Sequence, residues 1–269
     1  MIEFWTLGTF ALRTSDGCEY SRLLARPKCL AVLAYLAASA RSHVHSRETL
    51  LGVFWPELDQ EHARLALRQA LHVLRRELGD GVLVARGSAM LGVDSNRLWC
   101  DTVAYDYAFR TGDYLRALEL YRGDFLAGMF IPGAPEVERW LSRERAWLRA
   151  RAASAAWALA EEMEAARAGP HAAYWARRAV ELAPEDEHGI RRLVALLDRL
   201  GDSAGALRAY EDFSRWLASE LELAPSPETR ALAQAIQARL RSLPGEPRLL
   251  QRDIPINAQH PSVPRPHRG

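Results

Sequence analysis

The chain of 269 residues is long enough for about two domains, and its 49% hydrophobic and 26% charged residues are ordinary for a soluble globular protein. Its 35 basic and 34 acidic side chains nearly cancel, which excludes a uniformly basic nucleic-acid-binding surface, so any contact with DNA must depend on local clusters of charge. The only lysine, Lys28, does not follow a glycine, which argues against a P-loop nucleotide-binding motif.

The cysteines and the apolar segments predict where the protein works. Cys18, Cys29 and Cys100 form neither a Cys-x-x-Cys pair nor an even-numbered disulfide framework, which is typical of a reducing compartment. The N-terminus lacks a basic segment followed by a long apolar run, so no signal peptide is predicted. No apolar run reaches the roughly 18 residues of a membrane helix. We therefore expect a cytoplasmic protein with no membrane partner.

The first 38 residues change from a strand pattern to a helical one. Aromatic and β-branched residues over 2–13, bounded by Asp16-Gly17, predict a β-hairpin with a bulge at Gly8. Pro27 suits the first turn of a helix, and apolar residues follow it at helical spacing.

Two further helices are predicted over residues 47–54 and 60–78. Ser46 and Asp59 can accept hydrogen bonds from the first backbone N–H groups of these helices, and Gly79 suits the end of the second one.

Residues 82–93 predict a second hairpin that turns at Gly87-Ser88. The predicted order over residues 1–97 is a strand pair, three helices and a hairpin. This is the order of a winged helix-turn-helix, in which the third helix enters the major groove of DNA and the hairpin is the wing.

Residues 98–242 are predicted to be entirely helical and to contain internal repeats. Residues 181–187 resemble 222–228, and residues 112–121 resemble 201–210. Fixed spacings of small residues, Tyr, Leu and Pro favour stacked helical hairpins of the tetratricopeptide kind. The predicted fold is therefore mainly α, with a winged helix followed by a helical repeat domain. The Pro-rich residues 243–269 are predicted to be a disordered, solvated tail.

The third helix separates its apolar and basic residues. On a helical wheel, Leu67, Leu71, Leu74 and Leu78 form a core stripe, while an adjoining arc is almost free of acidic side chains. Like-charge neighbours at i,i+4 are unfavourable on a solvated helix but suit phosphates and base edges. We name this the basic arc, and its candidate DNA-binding residues are Arg64, Arg68, Gln69, His72, Arg75 and Arg76.

Two arginines outside this helix are candidates for contacts with the DNA backbone. Arg86 lies beside the predicted wing turn, and Arg47 lies in the first turn of the second helix, where backbone N–H groups favour a phosphate. Each is also compatible with an ordinary exposed arginine.

Other functions are less well supported. His43-x-His45 has no Cys or carboxylate at zinc spacing, so neither a metal site nor another cofactor is predicted. No hydrolase, metalloprotease or dinucleotide-binding motif occurs, so an enzyme is not expected. The alternatives are a protein-interaction scaffold with a degenerate winged helix, and a repressor rather than an activator.

Five stretches carry a resemblance to a known family. The most specific are the Tyr-Arg-Gly-Asp-x-Leu-x-Gly segment over 121–128 and the Glu-Leu-x-x-x-Pro-Ser-Pro-Glu segment over 220–228. The others are Leu7–Phe10, Trp55-Pro56 and residues 63–79. On these residues, across positions 2–242, the chain resembles the bacterial transcriptional activator domain family, of the antibiotic-regulatory-protein type.

The resemblance implies a transcription factor that binds direct repeats in double-stranded DNA as a side-by-side homodimer and recruits RNA polymerase. It implies DNA contacts for the basic arc. It also implies a polymerase-contacting role for the turn after the second helix, at Trp55, Pro56, Glu57 and Asp59. We expect no receiver domain before residue 1, and therefore no switch by phosphorylation of such a domain.

Overall fold

The computed structural model describes residues 1–38 and 44–242, which together are mainly helical with small sheets near the N-terminus. The predicted tail over 243–269 and His43 lie outside the described residues. The strands are β1 (Ile2–Trp5), β2 (Ala11–Thr14), β3 (Val44–Ser46), β4 (Leu83–Arg86), β5 (Met90–Val93) and β6 (Leu98–Cys100). The helices are α1 (Ser21–Leu24), α2 (Pro27–Ala38), α3 (Arg47–Phe54), α4 (Gln60–Leu78), α5 (Asp101–Arg110), α6 (Tyr114–Leu120), α7 (Pro135–Ala165), α8 (Gly169–Leu182), α9 (Glu187–Arg199), α10 (Ser203–Glu220) and α11 (Pro227–Ser242).

The first sheet has the strand order β2-β1-β6. β1 and β2 form the predicted antiparallel hairpin, with Ile2 opposite Thr14. β6 pairs with β1 in parallel, although the paired residues, such as Ile2 and Leu98 or Phe4 and Cys100, lie 96 positions apart along the chain. The domain boundary predicted between residues 97 and 98 stays a prediction. β6 follows this boundary but belongs to the same sheet as β1 and β2, which precede it.

The bulge predicted at Gly8 is wrong, because Gly8 lies in the connection between β1 and β2 rather than within a strand pair. Its φ is +88°, and a Cβ at this position would lie 3.2 Å from the backbone of Arg122. Its N–H donates to the carbonyl oxygen of Asp124 at 3.0 Å. Two of the stretches behind the family resemblance, Leu7–Phe10 and residues 121–128, therefore pack against each other here.

Replacing Gly8 with alanine should destabilise the fold by about 2 kcal/mol. An alanine is strained at this positive φ, and its Cβ would also lie too close to the backbone of Arg122. Gly17 is a matched control, because its φ is +91° but nothing lies within 4 Å of its added Cβ. We expect the Gly17→Ala variant to lose only about 1 kcal/mol in urea unfolding. Equal losses in the two variants would contradict a role for the Arg122 contact.

The winged-helix elements follow the predicted local signals. The Ser46 hydroxyl accepts from the Thr49 N–H at 3.0 Å at the start of α3, and the Asp59 carboxylate accepts from the His62 N–H at 3.0 Å at the start of α4. Gly79 ends α4 with a φ of +88°. The predicted core stripe of α4 is buried against α2 and α3. Both helices therefore begin and end where the sequence predicts.

The second sheet has the strand order β3-β5-β4 and is antiparallel throughout. β4 and β5 form the predicted second hairpin, with Ala85 opposite Leu91. β3 extends this sheet directly before α3 begins. The three residues that connect β4 to β5, 87–89, are named the wing turn. Because β3 pairs with β5 and leads directly into α3, the wing turn lies beside the first turn of α3.

The helical part contains the predicted repeats as equivalent turns. Gly112 and Gly201 both adopt positive φ at the end of a helix. The following aspartates, Asp113 and Asp202, both cap the next helix by accepting a hydrogen bond from the N–H three residues later, at 3.1 Å and 2.8 Å. The helices pack as successive neighbours, with α7 against α8 and α9 against α10. This arrangement confirms the predicted tetratricopeptide-like stacking.

Asp101 joins the first sheet to the helical part. This residue and Thr6 are 0% exposed. The Asp101 carboxylate accepts from the N–H groups of Thr6 (2.8 Å), Leu7 (2.9 Å) and Thr102 (2.8 Å), and from the Thr6 hydroxyl (2.6 Å). Burial raises the pKa of Asp101, while these hydrogen bonds oppose that shift. The carboxylate therefore satisfies backbone donors at the end of β1 from the first turn of α5.

Candidate nucleic-acid interface

The basic arc of α4 is solvent-exposed along most of its length. Among the described residues, Arg68, Gln69 and His72 are exposed and have no hydrogen-bond or ion-pair partner for their side chains. Leu65 lies between them on the same arc and is 47% exposed. These four side chains occupy adjoining positions on a rigid helix whose opposite face is held in the core. The helix therefore presents both polar and apolar groups to a surface placed against it.

The remaining arginines of the basic arc differ from Arg68. Arg64 donates to Glu48 at the start of α3 through Nη2 and Oε1, at 3.1 Å. Arg76 donates to Glu77 through Nε and Nη2, at 3.0 Å and 2.7 Å, and these bonds lower the pKa of Glu77. Arg75 is half-buried near the C-terminal end of α4. Two of the four arginine charges are therefore balanced within the protein.

Arg47 and the wing turn are in direct contact. The Arg47 Nε donates to the carbonyl oxygen of Ser88 at 2.9 Å, and its backbone N–H donates to that of Ala89 at 2.8 Å. Arg86 lies at the end of β4 and is exposed. The wing turn and the first turn of α3 therefore form one unit, with Arg47 between them.

A cleft of about 760 Å³ lies between the first turn of α3, the N-terminal half of α4 and the wing turn. Three arginines line it, Arg47, Arg64 and Arg68, together with the acidic residues Glu48 and Glu61. The cleft has an excess of positive charge in a chain that is nearly neutral, which makes it a favourable position for an anion. These three predicted residues, which lie on two helices, are brought together only by the packing of α3 on α4.

The turn after α3 exposes some of its predicted site residues and buries one. Trp55 is 7% exposed, and the Lys28 ammonium lies 5.1 Å from the centre of its ring. Glu57 and Asp59 are exposed, and Glu57 lies 3.7 Å from the Lys28 ammonium. Hydrogen bonds from the His62 backbone and ring lower the pKa of Asp59. The acidic groups of this turn therefore face solvent on a firmly capped helix end.

The family model of the bacterial transcriptional activator domain matches residues 104–237, which contain α6 to α10 complete. Residues 104–237 belong to this family. The activator domain thus covers the stacked helical hairpins, and the elements of the candidate interface precede it along the chain.

Comparison with solved structures gives the same architecture for the activator domain and the elements before it. The chain is similar to a structure described as Mycobacterium tuberculosis EmbR in complex with a low-affinity phosphopeptide, with 22% identity and a TM-score of 0.56. The match covers 88% of this chain and 65% of the EmbR chain, so the present chain spans less than two thirds of that protein. At this identity the likeness shows the fold. The comparison with curated proteins gave no match.

The sequence analysis did not single out Glu48 as part of the candidate interface. An acidic residue in the first turn of a helix is common, because it interacts favourably with the helix dipole. Its pairing with Arg64 depends on how α3 crosses α4, which no local pattern encodes.

Among the described residues, no helix is both long and apolar enough to cross a membrane.

Proposed function

We propose that the chain is a sequence-specific DNA-binding transcriptional regulator that activates transcription. The observation that carries this proposal is the exposed basic arc of α4 beside Arg47 and the wing turn, in a chain that also contains a bacterial transcriptional activator domain. α4 is proposed to enter the major groove, where Arg68 and Gln69 read base edges. Arg47 and Arg86 are proposed to contact the phosphate backbone.

The charge arrangement supports this assignment over a purely scaffolding role. Three arginines converge on one cleft, although acidic and basic residues are almost equal in number over the whole chain. Contacts between arginine and phosphate supply affinity that depends on salt, and a few base contacts supply specificity of about 1–3 kcal/mol each. A scaffold would need neither an exposed basic helix nor a wing packed beside it.

The proposal includes the arrangement on DNA. Two copies bind side by side on a direct repeat, with half-sites spaced by about one helical turn of DNA or a multiple of it. The activator domain of one copy is proposed to adjoin its neighbour. The exposed acidic turn at Glu57 and Asp59 is proposed to contact RNA polymerase.

Selection of bound duplexes from a random DNA library tests the proposed function. We expect the purified protein to enrich a spaced direct repeat, with log affinity for that site falling steeply as log salt concentration rises. An absence of any enriched sequence, combined with weak binding at both low and high salt, would contradict the proposal and favour the scaffold.

Replacing Glu57 with alanine tests the contact with polymerase. We expect lower yields of run-off transcript from a promoter that carries the selected site, with DNA affinity within about twofold of wild type, because the exposed pair with Lys28 contributes little to the fold. Asp212→Ala is the matched control, because it removes an exposed acidic partner of Arg215 on α10. Unchanged transcription in the Glu57→Ala variant would contradict this role.

A further inference from the structure

Glu48 lies at the candidate interface although it has the same sign of charge as DNA. It is in the first turn of α3, and its carboxylate and that of Glu61 line the same cleft as Arg47 and Arg64. The side chains of Glu48 and Arg64 are 65% and 54% exposed. The helix dipole favours an acidic side chain here, but an exposed ion pair of this kind contributes little to stability, so neither packing nor the dipole requires its bond to Arg64.

The Glu48 bond restricts Arg64 without using up its hydrogen-bonding capacity. The Arg64 Nη2 donates to the Glu48 Oε1 at 3.1 Å, and among the described residues the Arg64 guanidinium has no other partner. Arginine carries five N–H donors in a planar group, so an edge that can bind two acceptors remains available. Arg68, one helical turn further along α4, has no such restraint.

We propose that Glu48 is a specificity-determining residue that positions Arg64 for one base pair and keeps it from binding phosphate on any sequence. This inference rests on the proposed function, and it adds a role for a residue that does not itself belong to the basic arc. The carboxylate favours one orientation of the guanidinium before DNA arrives, so a bidentate contact with guanine needs less ordering. The same carboxylate repels phosphates that approach Arg64 from the side of α3.

The Glu48→Gln substitution removes the negative charge and leaves only a weaker, neutral oxygen acceptor for Arg64. Arg64 should then bind any nearby phosphate more readily, so affinity for random DNA should rise and its salt dependence should steepen by about one contact. Discrimination at the base pair read by Arg64 should fall. The ratio of affinities for the selected site and for random DNA should therefore fall by roughly fivefold or more, since a bidentate contact is worth at least that much.

The experiment measures binding of the full chain to its selected site, to single-base variants of that site and to random duplex, at two salt concentrations. Glu119→Gln is the matched control, because Glu119 forms an equally exposed pair with Arg116 on α6, at 2.9 Å. It makes the same change in net charge, and we expect it to leave the affinity ratio unchanged. Equal thermal unfolding of the two variants would show that both remain folded.

The possible outcomes are distinct. Loss of discrimination at one base pair in Glu48→Gln alone supports the inference. An unchanged ratio, or a uniform rise in affinity for all sequences in both variants, overturns it while leaving the proposed function intact. A wild-type protein with no preferred sequence overturns the proposed function and the inference together.

Discussion

Alanine at position 68 should lower affinity for the selected DNA site by roughly 5- to 150-fold, which corresponds to the loss of one bidentate base contact. Arg68 is the arginine of the basic arc that best fits this role. It is exposed in the N-terminal half of α4, it lines the cleft shared with Arg47, and it has no side-chain partner among the described residues. Its substitution therefore removes no internal contact that would disturb the fold.

The loss at Arg68 should depend on sequence. We expect Arg68→Ala to bind random DNA almost as well as wild type does, and to accept several bases at one position of its site in a repeated library selection. Arg86→Ala is the comparison variant, because a backbone contact at the wing should weaken binding about equally on all sequences and reduce the salt slope by about 1.

Affinity measurements for both variants on a randomised site library check this assignment. Equal losses on every sequence from the two substitutions would contradict it, since Arg68 would then be a phosphate contact like Arg86. A larger sequence-specific loss at Arg86 would contradict the assignment of the wing.

Replacing Asp101 with alanine should destabilise the protein by about 3–5 kcal/mol, the largest stability effect that we expect from a single polar side chain. The carboxylate accepts hydrogen bonds from the buried N–H groups of Thr6 and Leu7, and each buried donor left without a partner costs about 1–3 kcal/mol. Loss of the bond to the Thr6 hydroxyl adds to this cost. The melting temperature should fall by about 10 °C.

Two comparison variants define the cause. Asp113→Ala removes an exposed helix cap from α6 and should cost only about 1 kcal/mol. Asp101→Asn keeps one carbonyl acceptor but places an N–H₂ group among donors, so its loss should lie between the other two. Thermal unfolding followed by circular dichroism measures the stability of all three variants. If Asp101→Ala loses no more stability than Asp113→Ala, the Thr6 and Leu7 N–H groups must find other partners.

The sequence predicted much of the fold because its signals are local. Ser46, Asp59 and Gly79 are suited to helix ends by their own chemistry: α3 begins after Ser46, and α4 begins after Asp59 and ends before Gly79. The leucine stripe of α4 is buried as its period requires. The repeated Gly-Asp turns at 112–113 and 201–202 also form equivalent caps.

The candidate site was predicted in composition but not in arrangement. The helical wheel separated the basic arc of α4 from its core, and the exposure of Arg68, Gln69 and His72 agrees with that separation. Their contacts with DNA stay predictions. The wheel did not indicate that Arg64 is paired with Glu48, because Glu48 lies on another helix. It did not indicate the pair of Arg76 with Glu77 either, because adjacent residues do not face each other on a helix.

The type, ends and buried faces of the helices could therefore be predicted, since each of these depends on residues a few positions apart. Which distant groups meet depends on how the elements pack. Three contacts join residues far apart in sequence: the parallel pairing of β1 with β6, the approach of Gly8 to Arg122, and the hydrogen bond from the Thr6 N–H to Asp101. The pairing of Glu48 with Arg64 likewise depends on the angle at which two helices pack. Such contacts are set by the free energy of the whole core, which no short pattern of residues records.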